Sequence, residues 1–255
     1  MVMLDRITVL HFSPTGGTRR AALLIAQQIA ERVEEIDLCR PDTQAHSFGK
    51  DDVVLTAGPV YGGRLPALMA ERLRAYRGEG ARAISAAVYG GRAYEDALVE
   101  LDVLLGGQGF RVIASAALLA EHSIVRPLAA GRPDAQDEAQ LAAFGARIAA
   151  KLEQGDLAAP HTPGNRPYKE WAGMPTAPQA TEACNACGTC ARECPAGAIS
   201  AENPAQTDAA RCITCMRCVA VCPQKARALP APVLQMLSQK LAPFMEKRQE
   251  NELYL

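Results

Sequence analysis

Short apolar runs rich in β-branched residues alternate with amphipathic stretches through the first 154 residues of the chain. The apolar runs predict strands, and the stretches with apolar residues at helical spacing predict helices. The predicted strands are 6–11, 33–38, 52–57, 82–89 and 110–118, and the predicted helices are 19–32, 65–77, 95–105 and 134–154. This alternation predicts an α/β fold built on a doubly wound parallel sheet of five strands.

Three of the predicted strands are followed by loops that begin at Ser13, Gly58 and Tyr89. Ligands of open parallel sheets bind beyond the carboxyl ends of the strands. We therefore expect the three loops to share one rim and to bind a cofactor there.

The alternation stops in the segment 156–180, which contains five prolines. Prolines at this density exclude a continuous helix or central strand, so we interpret the segment as an extended linker. In a fully polyproline-like conformation its 25 residues reach roughly 75 Å, so length does not decide which chain's rim the following segment faces.

The C-terminal segment 229–255 has apolar residues at helical spacing and predicts an amphipathic helix. The pattern fits packing on the same chain and packing on a second copy in a homodimer equally well.

The composition narrows the class of protein. A formal net charge of -1 over 255 residues provides no polybasic field, so nucleic acid is a poor candidate partner. The N-terminal residues do not resemble a signal segment, and no apolar run approaches the length that spans a bilayer. We therefore expect a cytoplasmic protein with no integral membrane segment.

Eight of the nine cysteines lie between Cys184 and Cys222. Four of them form a Cys-x-x-Cys-x-x-Cys-x-x-x-Cys-Pro unit, and the same unit returns 28 residues later. Three closely spaced cysteines can hold three corners of a cubane, whereas the fourth, before proline, points to the other cluster. The expected ligand sets are therefore crossed: Cys184, Cys187, Cys190 and Cys222 for one cluster, and Cys212, Cys215, Cys218 and Cys194 for the other.

Paired Cys-x-x-Cys units also form tetrahedral zinc sites, which is the alternative interpretation. Two complete four-cysteine repeats, each ending in Cys-Pro, favour iron. The segment 181–228 resembles the bacterial two-cluster ferredoxins over its full length, and that resemblance implies two 4Fe-4S clusters. Its polypeptide is slightly basic, and we expect its positive side chains to raise the cluster potentials. These side chains are Arg192, Arg211, Arg217, Lys225 and Arg227.

The loop after the first strand contains Ser13, Thr15, Gly16, Gly17 and Thr18. Hydroxyls and exposed amides at a helix N-terminus can bind a phosphate, although the same residues also suit an ordinary capped helix start. No Gly-Lys-Ser/Thr follows, so the loop is not a Walker loop.

At this loop the sequence resembles the flavodoxin family over residues 4–154, with the family's Ser/Thr-x-Thr-Gly-x-Thr pattern. The resemblance implies FMN, a sheet order of 2-1-3-4-5, and two later loops around the isoalloxazine. The counterpart residues are Pro59, Val60, Tyr61, Gly62, Gly63 and Arg64 in one loop, and Tyr89, Gly90, Gly91, Arg92 and Tyr94 in the other.

Within these loops, Tyr61 matches the family's inner aromatic, Gly62 its redox-linked glycine and Tyr94 its outer stacking aromatic. Each tyrosine could instead be a packed rim residue. Arg64 and Arg92 replace the acidic surroundings of ordinary flavodoxins, and a cation near the N1 and O2 edge favours the anionic reduced flavin.

The sequence leaves more than one possible role for two further residues. His122, just after the fifth strand, could donate a hydrogen bond to the flavin, act as a catalytic proton donor, or fix its own loop. Trp171, the only tryptophan, could anchor the linker or contact the flavin.

The whole chain resembles the flavodoxin-ferredoxin fusion proteins of anaerobic microbes. This implies an FMN domain at 1–155, the linker at 156–180, a two-cluster ferredoxin domain at 181–228 and the tail at 229–255. We expect an electron-transfer protein with a redox protein as partner, because no strand is followed by a dinucleotide fingerprint. The alternatives are an FMN-dependent reductase of a small molecule and a redox sensor or interaction module.

Overall fold

The structure is a computed structural model, and it describes residues 3–41 and 44–255; the first two residues of the expected FMN domain lie outside these ranges. The strands are β1 (Leu4–His11), β2 (Ala30–Asp37), β3 (His46–Gly49), β4 (Val53–Pro59), β5 (Tyr76–Glu79), β6 (Arg82–Tyr89), β7 (Arg111–Leu119), β8 (Gln179–Ala180), β9 (Arg227–Ala228) and β10 (Glu252–Tyr254). The helices are α1 (Gly17–Ala26), α2 (Ala67–Leu73), α3 (Ala97–Gly107), α4 (Ala135–Glu153), α5 (Thr189–Arg192), α6 (Arg217–Ala220) and α7 (Ala231–Leu241), the last followed by a 3-10 turn at Ala242–Phe244.

In the described residues the main sheet has six strands, in the order β10-β7-β6-β4-β1-β2. Five of them, β1, β2, β4, β6 and β7, pair in parallel. Renumbered 1 to 5 along the chain, they have the order 2-1-3-4-5. β10 is an addition to the expected five, and it pairs antiparallel with β7. The order reverses between β1 and β4, which is where sheets of this type bind their ligands.

The sheet is buried on both faces, as parallel sheets usually are. Helices α1 and α4 cover one face, where Ile25 and Ile148 pack with Val9 and Ile84. Helices α2 and α3 cover the other face, where Met69 and Leu98 pack with Leu10 and Val54. Together these layers form a flavodoxin-like α/β fold.

Two predicted helices are shorter than expected. The helix predicted for 19–32 ends at Ala26, because Ala30 and Arg32 pair with β1 and extend β2 towards the N-terminus. The helix predicted for 65–77 ends at Leu73, because residues 76–79 form β5, which pairs with β3 in a separate small sheet. In both places, strand pairing overrides a local helical pattern.

The linker is not a free extended segment. Asp96 accepts hydrogen bonds from the backbone amides of Asn165 (2.7 Å) and Lys169 (2.6 Å). Thr162 donates to Asp102 at 2.5 Å. These contacts hold residues 162–169 against α3.

The C-terminal tail packs on its own chain. Leu237 and Leu241 of α7 pack with Val125 and Leu128. The Asn251 side chain accepts a hydrogen bond from the Leu119 amide at 2.8 Å, next to the antiparallel pairing of β10 with β7. The predicted amphipathic helix spans only Ala231–Leu241, and the tail ends in β10, which forms the edge strand of the sheet.

The cysteine-rich segment forms a small ferredoxin-like region, in which β8 pairs antiparallel with β9. Its duplication extends to the backbone, because left-handed φ angles recur at positions 28 residues apart. The pairs are Ala186 (55°) and Thr214 (51°), Gly188 (74°) and Met216 (65°), and Gly197 (58°) and Lys225 (51°). Among the helices of the described residues, none is long and apolar enough to cross a membrane.

Candidate functional site

The loop 13–18, which was expected to bind a phosphate and is named here the phosphate loop, leads into α1 in a conformation that suits an anion. Gly16, the N-cap, has φ 93°, a left-handed angle that favours glycine, and it has no side chain to cap the helix. Ser13 instead accepts a hydrogen bond from the Arg19 amide at 2.9 Å. The first turn of α1 contains no acidic residue, so its dipole favours a negative ligand.

A cavity of about 610 Å³ lies over this loop and is named here the phosphate-loop cavity. Its walls come from Thr15–Gly17 and residues 121–123 on one side, and from Met216, Val219 and Cys222 of the ferredoxin-like region on the other. Five cations also line it: Arg20, Arg126, Arg132, Lys225 and Arg227. Three of them form ion pairs within the protein, Arg20 with Glu138, Arg126 with Glu121 and Arg132 with Asp137.

A smaller cleft, named here the rim cleft, adjoins that cavity and shares Thr15, Gly17 and residues 121–123 with it. Six further predicted site residues line it, from the loops after β1, β4 and β6. They are Thr18, Pro59, Val60, Tyr61, Tyr89 and Gly90. The three loops therefore share one rim.

Trp171 lies against the tip of the loop after β4. A Cβ atom placed on Gly62 would fall 2.2 Å from the indole Cδ2, so the ring packs directly on this glycine. The residue therefore joins the linker to the loop that was expected to contact the flavin.

Arg64 does not present its charge to the rim cleft. Its guanidinium donates two hydrogen bonds to Glu100, at 2.8 and 2.7 Å, and one to the Lys169 carbonyl at 2.7 Å. It also lies 4.9 Å from the centroid of the Tyr168 ring. The hydrogen bonds to Glu100 raise the pKa of Arg64, and the pairing neutralises the charge that was expected at the flavin edge.

Tyr94 also differs from its expected position. Its hydroxyl hydrogen-bonds to Glu252 and to the Tyr254 hydroxyl, each at 2.8 Å, and burial with these contacts raises its pKa. The ring packs edge-on against Tyr89 at 5.5 Å. Tyr94 therefore joins β10 to the rim, and Tyr89 rather than Tyr94 lines the rim cleft.

Ser13, Gly62, Gly63, Arg64, Gly91, Arg92 and Tyr94 are the predicted residues outside both cavity linings. Arg92 hydrogen-bonds to Glu95 at 2.9 Å and lies near His122. Arg64 lines a separate cavity with Tyr61 and Trp171, and Gly91 lines another.

His122 lines both cavities, and its Nδ1 accepts hydrogen bonds from the amides of Ile124 (3.2 Å) and Val125 (3.0 Å). Burial, with a smaller contribution from the Arg92 charge, lowers its pKa to about 4. The imidazole is therefore neutral near neutral pH, and its proton is on Nε2. His122 therefore fixes its own loop through Nδ1, and its Nε2 can still donate a hydrogen bond.

The cysteines group according to the crossed sets. Cys184, Cys187, Cys190 and Cys222 line one small cavity together. Cys194 is close enough to Cys212 and Cys215 to raise the pKa of both thiols, although burial is the larger cause. Within the described residues, no group of three or more His, Cys, Asp or Glu side chains is placed to hold a single metal ion.

The environment of the sulfurs suits metal-bound thiolates. Cys194 and Cys222 occupy equivalent repeat positions and accept hydrogen bonds from the amides of Ala198 (3.3 Å) and Ala226 (3.2 Å). Burial raises the pKa of Cys215 to about 12 and that of Cys218 to about 11. Such thiols become thiolates only when a metal compensates their charge.

The ferredoxin-like region contacts the rim of its own chain. Arg217 donates to the Pro14 carbonyl at 3.2 Å, and Arg72 donates to the Pro195 carbonyl at 2.6 Å. Tyr61 is close enough to Cys215 for that thiol to contribute, after burial, to its raised pKa.

Several lining residues were missed from the sequence. Glu121 and Ser123 flank His122, and the argument that placed His122 at the rim applies equally to them. Met216, Val219 and Lys225 had no local signal, because they reach the cavity only through the path of the linker.

Residues 183–227 match the family of 4Fe-4S dicluster domains. No curated protein matches the chain. Rubredoxin oxygen:oxidoreductase from the anaerobe Desulfovibrio gigas is 15% identical, with a TM-score of 0.41 over 62% of this chain and 38% of that chain. This chain therefore spans well under half of that protein's length.

Two flavodoxins are also structurally similar. The flavodoxin of Streptococcus pneumoniae TIGR4 is 19% identical, with a TM-score of 0.43 over 58% of this chain and 99% of that chain. A short-chain flavodoxin associated with a PDU bacterial microcompartment is 15% identical, with a TM-score of 0.39 over 57% and 99%.

The chain thus joins an α/β domain with a flavodoxin-like strand order to a region that matches the 4Fe-4S dicluster domains.

Proposed function

We propose that this chain is an electron-transfer protein that binds one FMN at the rim and two 4Fe-4S clusters in the crossed cysteine sets, and passes electrons between them within one polypeptide. The observation that carries the proposal is the shared cavity: the phosphate loop and the cluster ligand Cys222 line the same space. When bound, FMN exchanges one or two electrons and each cluster exchanges one.

The phosphate loop would hold the FMN phosphate through the first-turn amides of α1 and the Thr15 and Thr18 hydroxyls. Lys225 adds positive charge from the opposite side of the cavity. The isoalloxazine would lie where the phosphate-loop cavity opens into the rim cleft, beside Tyr61 and Tyr89. His122 would donate a hydrogen bond from Nε2 and keep its loop in place.

An electron carrier is favoured over a reductase that takes a proton from His122. With a pKa of about 4, this imidazole is neutral in the working range and is a poor proton donor there. The ferredoxin-like region also covers the phosphate loop. A separate redox protein would supply or remove the electrons in a cytoplasmic setting.

Anaerobic purification with iron, sulfide, zinc and flavin analysis tests the proposal. We expect about eight iron, eight sulfide and one FMN per chain. Cys187→Ser should lower the iron content by about half, because it removes a ligand from one set only. Cys39→Ala is the matched control, since Cys39 lies outside the repeats, and it should keep the full content. A protein that contains zinc and no flavin contradicts the proposal.

A further inference from the structure

The two cysteine repeats differ at one buried position. Ile199 and Arg227 stand at equivalent places, 28 residues apart and five residues after the last cysteine of their repeats. Both are buried, with 5% and 3% of the residue exposed. The second repeat therefore buries a guanidinium where the first repeat buries an aliphatic side chain.

Arg227 lies between the two cysteine sets. It lines the cavity of Cys184, Cys187, Cys190 and Cys222. Its Nη2 donates to the Pro204 carbonyl at 2.9 Å, and the Cys190 thiol contacts the same carbonyl at 3.6 Å. On the other side, its charge opposes the effect of burial on the Cys212 and Cys218 thiols.

The charge of Arg227 has no anionic partner in the protein. Its remaining hydrogen bonds go to the Thr207 hydroxyl at 3.2 Å. Among the described residues, no carboxylate forms an ion pair with it, and its buried Nε has no hydrogen-bond partner. A buried, unpaired cation is strongly unfavourable unless a negative group compensates it.

We propose that Arg227 is the shared counter-charge of the two clusters, that its Nε donates to sulfur in the first cysteine set, and that it raises both reduction potentials. This inference rests on the proposed cluster content. A thiolate-ligated cluster is negative and gains a further negative charge on reduction, so a fixed cation nearby stabilises the reduced form. The effect should be larger for the first set, which would receive the hydrogen bond.

The test is a redox titration of the full protein, with the reduced clusters followed by EPR and with iron and sulfide measured on each sample. Arg227→Ile restores the residue of the first repeat, Arg227→Gln keeps polar contacts without charge, and Arg227→Lys keeps the charge. We expect lower potentials for both clusters in the Ile and Gln variants, with the larger decrease in the first set. The Lys variant should stay closer to wild type.

Arg211→Gln is the matched control, because Arg211 is an exposed cation of the same region and water screens its charge. Full clusters at wild-type potentials in both neutral variants, or a shift no larger than that of Arg211→Gln, would overturn the inference and leave the proposed function standing. Cluster loss in the neutral variants alone, with retention in Arg227→Lys, supports the counter-charge. Loss in all three variants contradicts it, and a wild-type protein without clusters overturns both proposals.

Discussion

At Arg64, one partner distant in sequence changes the role expected for the side chain. The sequence placed this cation at the flavin edge, but its guanidinium pairs with Glu100 and holds the linker carbonyl of Lys169. The hypothesis that it favours reduced flavin therefore loses its physical basis.

We predict that Arg64→Gln acts on stability instead. The variant leaves the half-buried Glu100 without its partner, so the free energy of unfolding should fall by about 2 kcal/mol, as measured by anaerobic denaturant titration. The flavin potential should not change. Arg6→Gln removes an exposed pair with Asp52 and is the control, with an expected change below about 0.5 kcal/mol. A changed potential with unchanged stability would restore the original hypothesis.

His122 predicts a pH dependence. Its folded pKa of about 4 is below the unfolded value of about 6.5, so the unfolded state takes up the proton first. Its contribution to stability is therefore complete above that unfolded value and is lost as the pH falls towards the folded pKa.

Between about pH 7 and pH 5, the wild type should lose on the order of 1 kcal/mol more unfolding free energy than His122→Gln. Denaturant titrations of both proteins at the two pH values measure this difference. Parallel losses in the two proteins would show that His122 is not the titrating group.

Lys225 should contribute to phosphate binding from the ferredoxin-like side. It has φ 51° where the first repeat has Gly197 at 58°, so Lys225→Gly relieves backbone strain while it removes a cation from the phosphate-loop cavity. FMN should bind about tenfold more weakly to the variant, by loss of one charge-assisted contact. Riboflavin, which lacks the phosphate, is the control and should bind equally to both proteins in fluorescence titrations. An equal loss for both ligands would place the effect elsewhere.

At the scale of elements, β10 depends on Asn251. This buried side chain accepts from the Leu119 amide and donates to Asp137 and Gln140, at 2.8 to 2.9 Å. Asn251→Ala leaves buried groups unpaired and should lower the free energy of unfolding by about 2 kcal/mol. Gln239→Ala, on the exposed side of α7, is the control and should have little effect. Equal stability of the two variants would mean that β10 does not hold the sheet edge.

The elements that the sequence predicted well are those with a strong local pattern. β6, with seven of its eight residues buried, has the bounds predicted for it. β3, β5 and β10 have three or four residues each, too few for a period of two to be recognised, and they form because a partner strand is present.

At the scale of the whole molecule, the ferredoxin-like region lies on the rim of its own chain, through Arg217 on Pro14 and Arg72 on Pro195. We therefore predict that electron transfer between clusters and flavin is intramolecular. Its rate constant, followed optically after rapid partial reduction, should be unchanged when the protein is diluted about tenfold.

Arg217→Glu should slow this step, because it removes the contact with the phosphate loop and places a second negative charge beside Glu193, the present partner of Arg217. Arg211→Glu changes the charge equally without that contact and is the control. A rate proportional to protein concentration in the wild type would contradict the same-chain arrangement.

In the candidate site, features set by local sequence could be predicted, whereas contacts between distant residues could not. The cysteine sets could be proposed from the sequence because cluster ligation depends on local spacing. Cys184, Cys187, Cys190 and Cys222 line one cavity, and their ligation of a cluster stays a prediction. The phosphate loop could be proposed from the sequence because strand, loop and helix are contiguous along the chain. The contacts of Tyr94 could not be predicted, because its hydroxyl partners, Glu252 and Tyr254, lie more than 150 residues away along the chain.

By itself, the sequence determined what short-range geometry controls: the strand and helix alternation, the phosphate loop and the duplicated cysteine spacing. Only the tertiary structure decided that Glu100 neutralises Arg64, that Lys225 and Cys222 reach the phosphate-loop cavity, and that Arg227 lies between the cysteine sets. Such contacts depend on which distant groups burial brings together, and a linker able to take many paths leaves that choice to the packing of the folded chain.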